Sequence, residues 1–180
     1  MTTVKRTSIS AMCIALCYVL PIALHSVGLG SILSPMHIPV LLCGLTCGPV
    51  AGFICGIIGP CLSSLLSGMP PMLMLVRMVP ELCCYGLVSG LTMKVRTGRT
   101  VTDVYFSLAI AMIAGRIAGG IASAVFYTVT TGVYTISLWL MSYFVEAVPG
   151  IVAHMILVPL LYATLERARV IPSRYAHAES

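Results

Sequence analysis

Residues 33–59 read LSPMHIPVLLCGLTCGPVAGFICGIIG. The stretch holds no lysine, arginine, aspartate or glutamate. It is nevertheless broken by Pro35, Pro39 and Pro49, and Gly44, Gly48, Gly52 and Gly56 recur every four residues. A water-soluble core helix rarely combines such hydrophobicity with so many helix breakers. Inside a membrane, neighbouring helices can satisfy the backbone groups that proline and glycine release. Small residues spaced by four let helix backbones approach closely. The stretch therefore predicts a tightly packed membrane element, with the polar cluster Ser34-Pro35-Met36-His37 at one edge.

The rest of the chain has the same character. Of 180 residues, 59% are hydrophobic and 8% charged, and mean hydropathy is +1.05. A soluble domain carries about 25% charged residues. The polar stretches at Lys94–Asp103 and after Leu165 are too short for a soluble domain. The expectation is an all-α polytopic membrane protein, with residues 1–180 forming one membrane domain. Its net charge of +5 belongs beside the spans, where basic residues mark the cytoplasmic side, and is not a nucleic-acid footprint. The eight cysteines (13, 17, 43, 47, 55, 61, 83 and 84) all lie in apolar stretches. They read as small buried apolar residues, not as the disulfide framework of a secreted domain. Cys43 and Cys47 share a helix face, but no third soft ligand is near in sequence, so neither metal nor cofactor is predicted. The basic start resembles a signal peptide. Its apolar run is too long, lacks a convincing cleavage site and precedes further spans, so it reads as a retained first helix.

A span needs about 20 apolar residues. Six are predicted: Ser8–Leu29, Ile38–Cys47, Val50–Ser67, Met72–Met93, Val104–Phe126 and Leu138–Leu165. The second reaches only about 15 Å as a helix, so its flanking polar segment must dip inward or the helix must hide behind longer ones. Lys5 and Arg6 precede the first span. Lys94, Arg96 and Arg99 follow the fourth, and Arg167, Arg169 and Arg174 follow the sixth. Six crossings place all of them on one side, so both termini are predicted to be cytoplasmic. The opposite connections, 30–37, 68–71 and 127–137, lack lysine and arginine. Ala51–Gly56 (AGFICG) and Ala114–Gly119 (AGRIAG) are alike and read as two similar packing faces.

Four charged residues fall within the predicted spans: Arg77, Glu81, Arg116 and Glu146. Intramembrane charges are costly and are functional candidates by default. Arg77 and Glu81, four apart, share a helix face. On the predicted topology all four converge on a polar pocket in the outer half, joined by His37 at its mouth and His154 deeper. Two readings stand. The charges form ion pairs that fix helix packing, or they also contact a solute carboxylate or phosphate, which suits the arginine fork. Met69, Met72, Met74 and Met78 near the same end read as adaptable packing. Pro80, Pro149-Gly150 and Pro159 are expected to kink their helices beside these charges. The chain has no phosphate-binding G-x-x-x-x-G-K-[ST] loop. Uphill transport would then draw on an ion gradient or on another subunit.

Ala11-Met12-Cys13-Ile14-Ala15, Ile38-Pro39-Val40, Gly48-Pro49 with the glycine-rich third span, and Pro149-Gly150 in the last span occur together. With the size and topology, this combination resembles the substrate-binding S component of energy-coupling factor (ECF) transporters, prokaryotic vitamin uptake systems. The resemblance covers nearly the whole chain. It implies a multi-pass protein of the prokaryotic cell membrane that binds a small vitamin or related micronutrient outside the cell. It also implies a transmembrane coupling (T) subunit and two cytosolic ATPase subunits as partners. The small-residue face carrying Ala11 and Ala15 corresponds to the surface that docks on the T subunit. The solute site corresponds to the outer pocket under the Gly30–His37 connection, which makes Met36, His37, Arg77, Glu81, Arg116, Glu146 and His154 the candidate binding residues. Met36-His37-Ile38-Pro39 also resembles the start of nickel and cobalt S components. There the residues form a free N-terminus, whereas Met36 is internal, so the metal ligand set is lost. The alternatives are such a metal carrier, a membrane-embedded enzyme using Glu81, Glu146 and His154, and a structural membrane subunit.

Overall fold

The structure, a computed structural model, describes residues 2–26, 28, 34–95, 100–130, 135–141 and 147–171. In chain order they form α1 (Thr3–His25), α2 (His37–Cys47), α3 (Pro49–Ser67), α4 (Met72–Val95), α5 (Thr100–Thr130), α6 (Ile136–Leu140) and α7 (Val148–Arg167). Among the described residues, five helices (α1, α3, α4, α5 and α7) are long and apolar enough to cross a membrane. Their outward faces carry Val19, Ile54, Leu87, Ile113, Ile121, Ile156 and Leu160, all exposed. So large an apolar exterior is expected only of a protein solvated by lipid tails.

The short α2 is the centre of the bundle. Every residue from His37 to Cys47 except Thr46 is buried. Helices α1, α3, α4 and α7 pack around it, and α5 touches it. Eleven residues rise only about 16 Å, about half a bilayer core. The shortfall is tolerable because protein, not lipid, surrounds both helix ends. The helix is thus a central post and not an outer wall. Its own prolines cost little: Pro39 lies in the first turn, where a missing N–H breaks no helical bond.

The four-residue glycine spacing spans two helices, as the turn at Gly48-Pro49 implies. Gly48 caps both α2 and α3 with φ 94°, a backbone region that strongly favours glycine. Pro49 then opens α3 at the position proline prefers. Gly44, Gly52 and Gly86 form a three-helix joint. A Cβ at Gly86 would collide with the backbone of Gly52, one at Gly52 with the carbonyl of Gly86, and one at Gly44 with Gly86 and Ser89. Gly56 continues the seam, its missing Cβ facing the Leu82 backbone at 2.7 Å. On the other side of α4, Gly115 leaves room for the Tyr85 ring. The two similar segments at 51–56 and 114–119 therefore flank α4 as a pair of glycine faces.

Helix α1 buries only Ile9, Cys13, Cys17 and Pro21, one residue per turn. Cys13, Cys17, Cys43, Cys47 and Cys55 are all buried and free of disulfides. The close approach of α1 to α3 is limited by Cys17 itself, whose Sγ lies 2.8 Å from where a Gly59 Cβ would stand. Basic residues gather at one end: the Lys5 ammonium donates to the Arg169 carbonyl at 3.1 Å, and Arg6 reaches the α2–α3 turn.

The last span differs from its predicted limits. Helix α7 begins at Val148, not Leu138, and α6 is a separate short helix. Pro149 occupies the first turn of α7, where it starts the helix instead of kinking it. Pro80 and Pro159 do lie inside α4 and α7. Glu146 lies outside the described residues.

Candidate functional site

At the end of the bundle opposite Lys5 and Arg6, α2, α4, α5 and α7 enclose a cavity of about 230 Å³. His37, Arg77, Glu81, Arg116 and His154 all line it, so five of the seven predicted binding residues meet there. Ser34, Met74, Met78, Ala147 and Gly150 complete the lining. Each polar side chain is delivered by a different helix position. His37 is the first residue of α2, so its ring stands at the mouth of the buried post. Arg77 and Glu81 lie one turn apart on α4, Arg116 lies midway along α5, and His154 sits in the second turn of α7.

Hydrogen bonding orients the buried acid. The Tyr85 hydroxyl donates to Glu81 Oε1 at 2.7 Å. His37 Nδ1–H donates to the Ser34 carbonyl at 2.9 Å; a carbonyl only accepts, so that nitrogen carries a proton. The other ring nitrogen, Nε2, then faces Glu81 Oε1 at 3.7 Å. The two groups form an ion pair only when the imidazole holds both protons. The His37 ring stacks on His154 with centroids 5.4 Å apart and meets the Tyr85 ring edge-on at 5.2 Å. Tyr85 therefore holds both partners, one through its hydroxyl and one through its ring.

The arginines are held differently. Arg77, half-buried, places its guanidinium 5.2 Å from the centre of the Tyr127 ring, a cation–π contact. Arg116 is only 6% exposed, and its backbone carbonyl accepts from Trp139 Nε1 at 3.3 Å. This bond seats α6 on α5, with the Trp139 ring against Gly120. Among the described lining residues two guanidinium groups face one carboxylate. The cavity thus presents two guanidinium groups, whose planar fork is matched to a carboxylate or phosphate.

Met36 does not line this cavity. Its side chain is buried in the apolar core, and its carbonyl accepts a weak bond from the Cys17 thiol at 3.9 Å. Successive residues at a helix start point about 100° apart, so Met36 turns into the core while His37 turns to the cavity. Tyr85 was not among the predicted site residues, although its spacing of four from Glu81 on one helix places them on one face. Ser34 contributes through its carbonyl, which no side-chain pattern reveals. Ala11 and Ala15 lie on the exposed face of α1, far from the cavity. Among the described residues no three His, Cys, Asp or Glu side chains are grouped as a metal site.

The consequence for stability is direct. Tyr85→Phe removes a hydroxyl bond to a buried carboxylate, and such losses cost about 1–3 kcal/mol. The variant is expected to unfold at lower temperature than the unaltered protein while keeping its elution profile in detergent. An unchanged melting curve would show that the bond contributes nothing.

The family model for the substrate-specific component of ECF transporters matches residues 5–162, the stretch from the start of α1 to His154 and beyond. The chain belongs to this family and is a substrate-capture component of a transporter, a multi-pass protein of the prokaryotic cell membrane. No curated protein and no solved structure matches the chain.

Proposed function

We propose that this S component captures a small anionic vitamin or related micronutrient outside the cell and passes it to an ECF module for ATP-driven import. The observation that carries the reading is the convergence of Arg77, Arg116, Glu81, His37 and His154 on one cavity, with two guanidinium groups among its lining. Arg116 and Arg77 hold a carboxylate or phosphate of the solute, a task for which the planar guanidinium fork is suited. Glu81, fixed by Tyr85, accepts from solute hydroxyl or amide donors. The stacked histidines form a flat polar wall, and Met74 and Met78 supply adaptable apolar contact. Pantothenate and flavin- or pyridoxine-type compounds carrying an acidic group have the required chemistry. The basic end of the bundle faces the cytoplasm, which puts the cavity on the outer side.

Mass spectrometry of the small molecules retained by the purified protein tests this reading. An anionic organic compound that is lost on denaturation supports it. A neutral or cationic solute would refute the anion reading. The partners are a T subunit and two cytosolic ATPase subunits, consistent with the absence of a phosphate-binding loop from the sequence. Ala11 and Ala15, small and exposed on α1, form the docking stripe for the T subunit. Ala11→Trp with Ala15→Trp is expected to abolish co-purification with the coupling module while leaving the retained solute in place. Undiminished co-purification would remove α1 from the interface.

A further inference from the structure

A second cavity, of about 420 Å³, lies at the other end of the bundle. Helices α2, α4 and α7 each run from one cavity to the other: His37 to Cys47, Glu81 to Lys94, and His154 to Tyr162. The two cavities therefore sit at opposite ends of the bundle. Two cationic side chains border the second one, Arg6 from α1 and Lys94 from α4. The Arg6 guanidinium reaches over the α2–α3 turn, with Nη2 3.2 Å from where a Gly48 Cβ would stand. Among the described residues neither Arg6 nor Lys94 makes an ion pair. Like charges on one cavity without a counter-charge repel, and an anion between them relieves that repulsion.

Beside Thr46 and Tyr162, the remaining lining is mostly apolar. Met93 and Ile171 are buried against the cavity, and Val50, 62% exposed, carries its edge out to the lipid-facing side of α3. A free inorganic anion gains nothing from such a floor. A phosphate attached to an acyl chain does, because its glycerol and chain can follow the apolar edge. Basic pockets between spans at the cytoplasmic ends of helices are suited to anionic lipid headgroups.

We propose that the cavity between α1, the α2–α3 turn and α4 binds a phosphate anion through Arg6 and Lys94, with the headgroup of an anionic phospholipid as its source. Bound there, the phosphate ties the start of α1 to the end of α4.

Native mass spectrometry of the full chain titrated with dioleoyl phosphatidylglycerol tests the proposal. Arg6→Gln combined with Lys94→Gln is expected to weaken binding about 30-fold, about five-fold for each basic group. Lys5→Gln serves as control, because Lys5 points to the Arg169 carbonyl and does not line the cavity; it is expected to leave binding unchanged. Excess inorganic phosphate separates the sources. Failure to displace the lipid supports a headgroup site. Displacement supports an anion site filled by free phosphate and overturns the lipid assignment. Equal binding by the unaltered and doubly substituted proteins overturns the whole proposal. On the unaltered protein, binding is expected to weaken as ionic strength rises, and a salt-independent signal overturns it without any variant.

Discussion

Gly86→Ala is expected to lower the thermal midpoint of the detergent-purified protein by about 6–12 °C, from a loss of about 3 kcal/mol. The reason is that a single added methyl meets main chain. A Cβ at Gly86 falls on the Gly52 carbonyl group, and its Cα is 2.9 Å away. Side chains escape overpacking by changing rotamer, but two backbones held in regular helices cannot. Relief requires α3 and α4 to separate, and that opens the contacts of Gly44 with Gly86 and Ser89 on the central helix. The paired control is Gly68→Asn. Gly68 caps α3 with φ 69° and has nothing within 4 Å of its missing Cβ. Asparagine tolerates that left-handed conformation, so this variant is expected to melt near the unaltered protein. Fluorescence-detected size-exclusion after graded heating distinguishes the two. Equal melting of Gly86→Ala and the unaltered protein would mean that the three-glycine joint does not set helix separation.

Arg116→Ala is expected to reduce affinity for the retained anionic solute about 30-fold or more, because truncating a buried partner of a charged contact costs about 2–5 kcal/mol. Arg116 is nearly fully buried, so no water screens its contact with a guest. Arg77→Ala is expected to cost about tenfold, in the range of a single charged hydrogen bond. Arg77 is half-exposed and already shares its guanidinium with the Tyr127 ring. Titration calorimetry with the solute identified from the purified protein reads both changes. Folding is checked by elution profile, since removing Arg116 also leaves Glu81 with less positive charge nearby. A folded Arg116→Ala protein with unaltered affinity would assign the arginine to helix packing alone.

The long spans were legible because lipid-facing positions must be apolar whatever the inner face does, so Val19, Ile54 or Ile156 need no partner to be recognised. The gathering of Lys5, Arg6, Lys94 and Arg169 follows from the same rule applied to the connections. The convergence of His37, Arg77, Glu81, Arg116 and His154 was legible because a charge or histidine within a span has few places to go except inward. Other features depend on distances between helices, which no spacing along one helix encodes. That Gly44 answers to Gly86, or that Gly115 accommodates Tyr85, is fixed by how α2, α4 and α5 cross. Met36 was misplaced for a local reason: polarity of its neighbours suggested a shared environment, but adjacent helical residues diverge. Pro149 was misplaced because a proline inside an apolar run marks a kink or a fresh helix start equally well, and only the position of Val148 decides between them.

The burial of α2 also has a consequence for how the chain enters the bilayer during synthesis. Segments of 10–14 apolar residues are too short to span lipid unaided, and α2 has eleven. Its exposed ends would meet hydrocarbon with backbone groups unsatisfied. It has no stable place in the membrane until α3 and α4 arrive to enclose it. Membrane integration of this region is therefore a cooperative event that spans residues of at least three helices. The glycines at 44, 52 and 86 are the point at which that event closes.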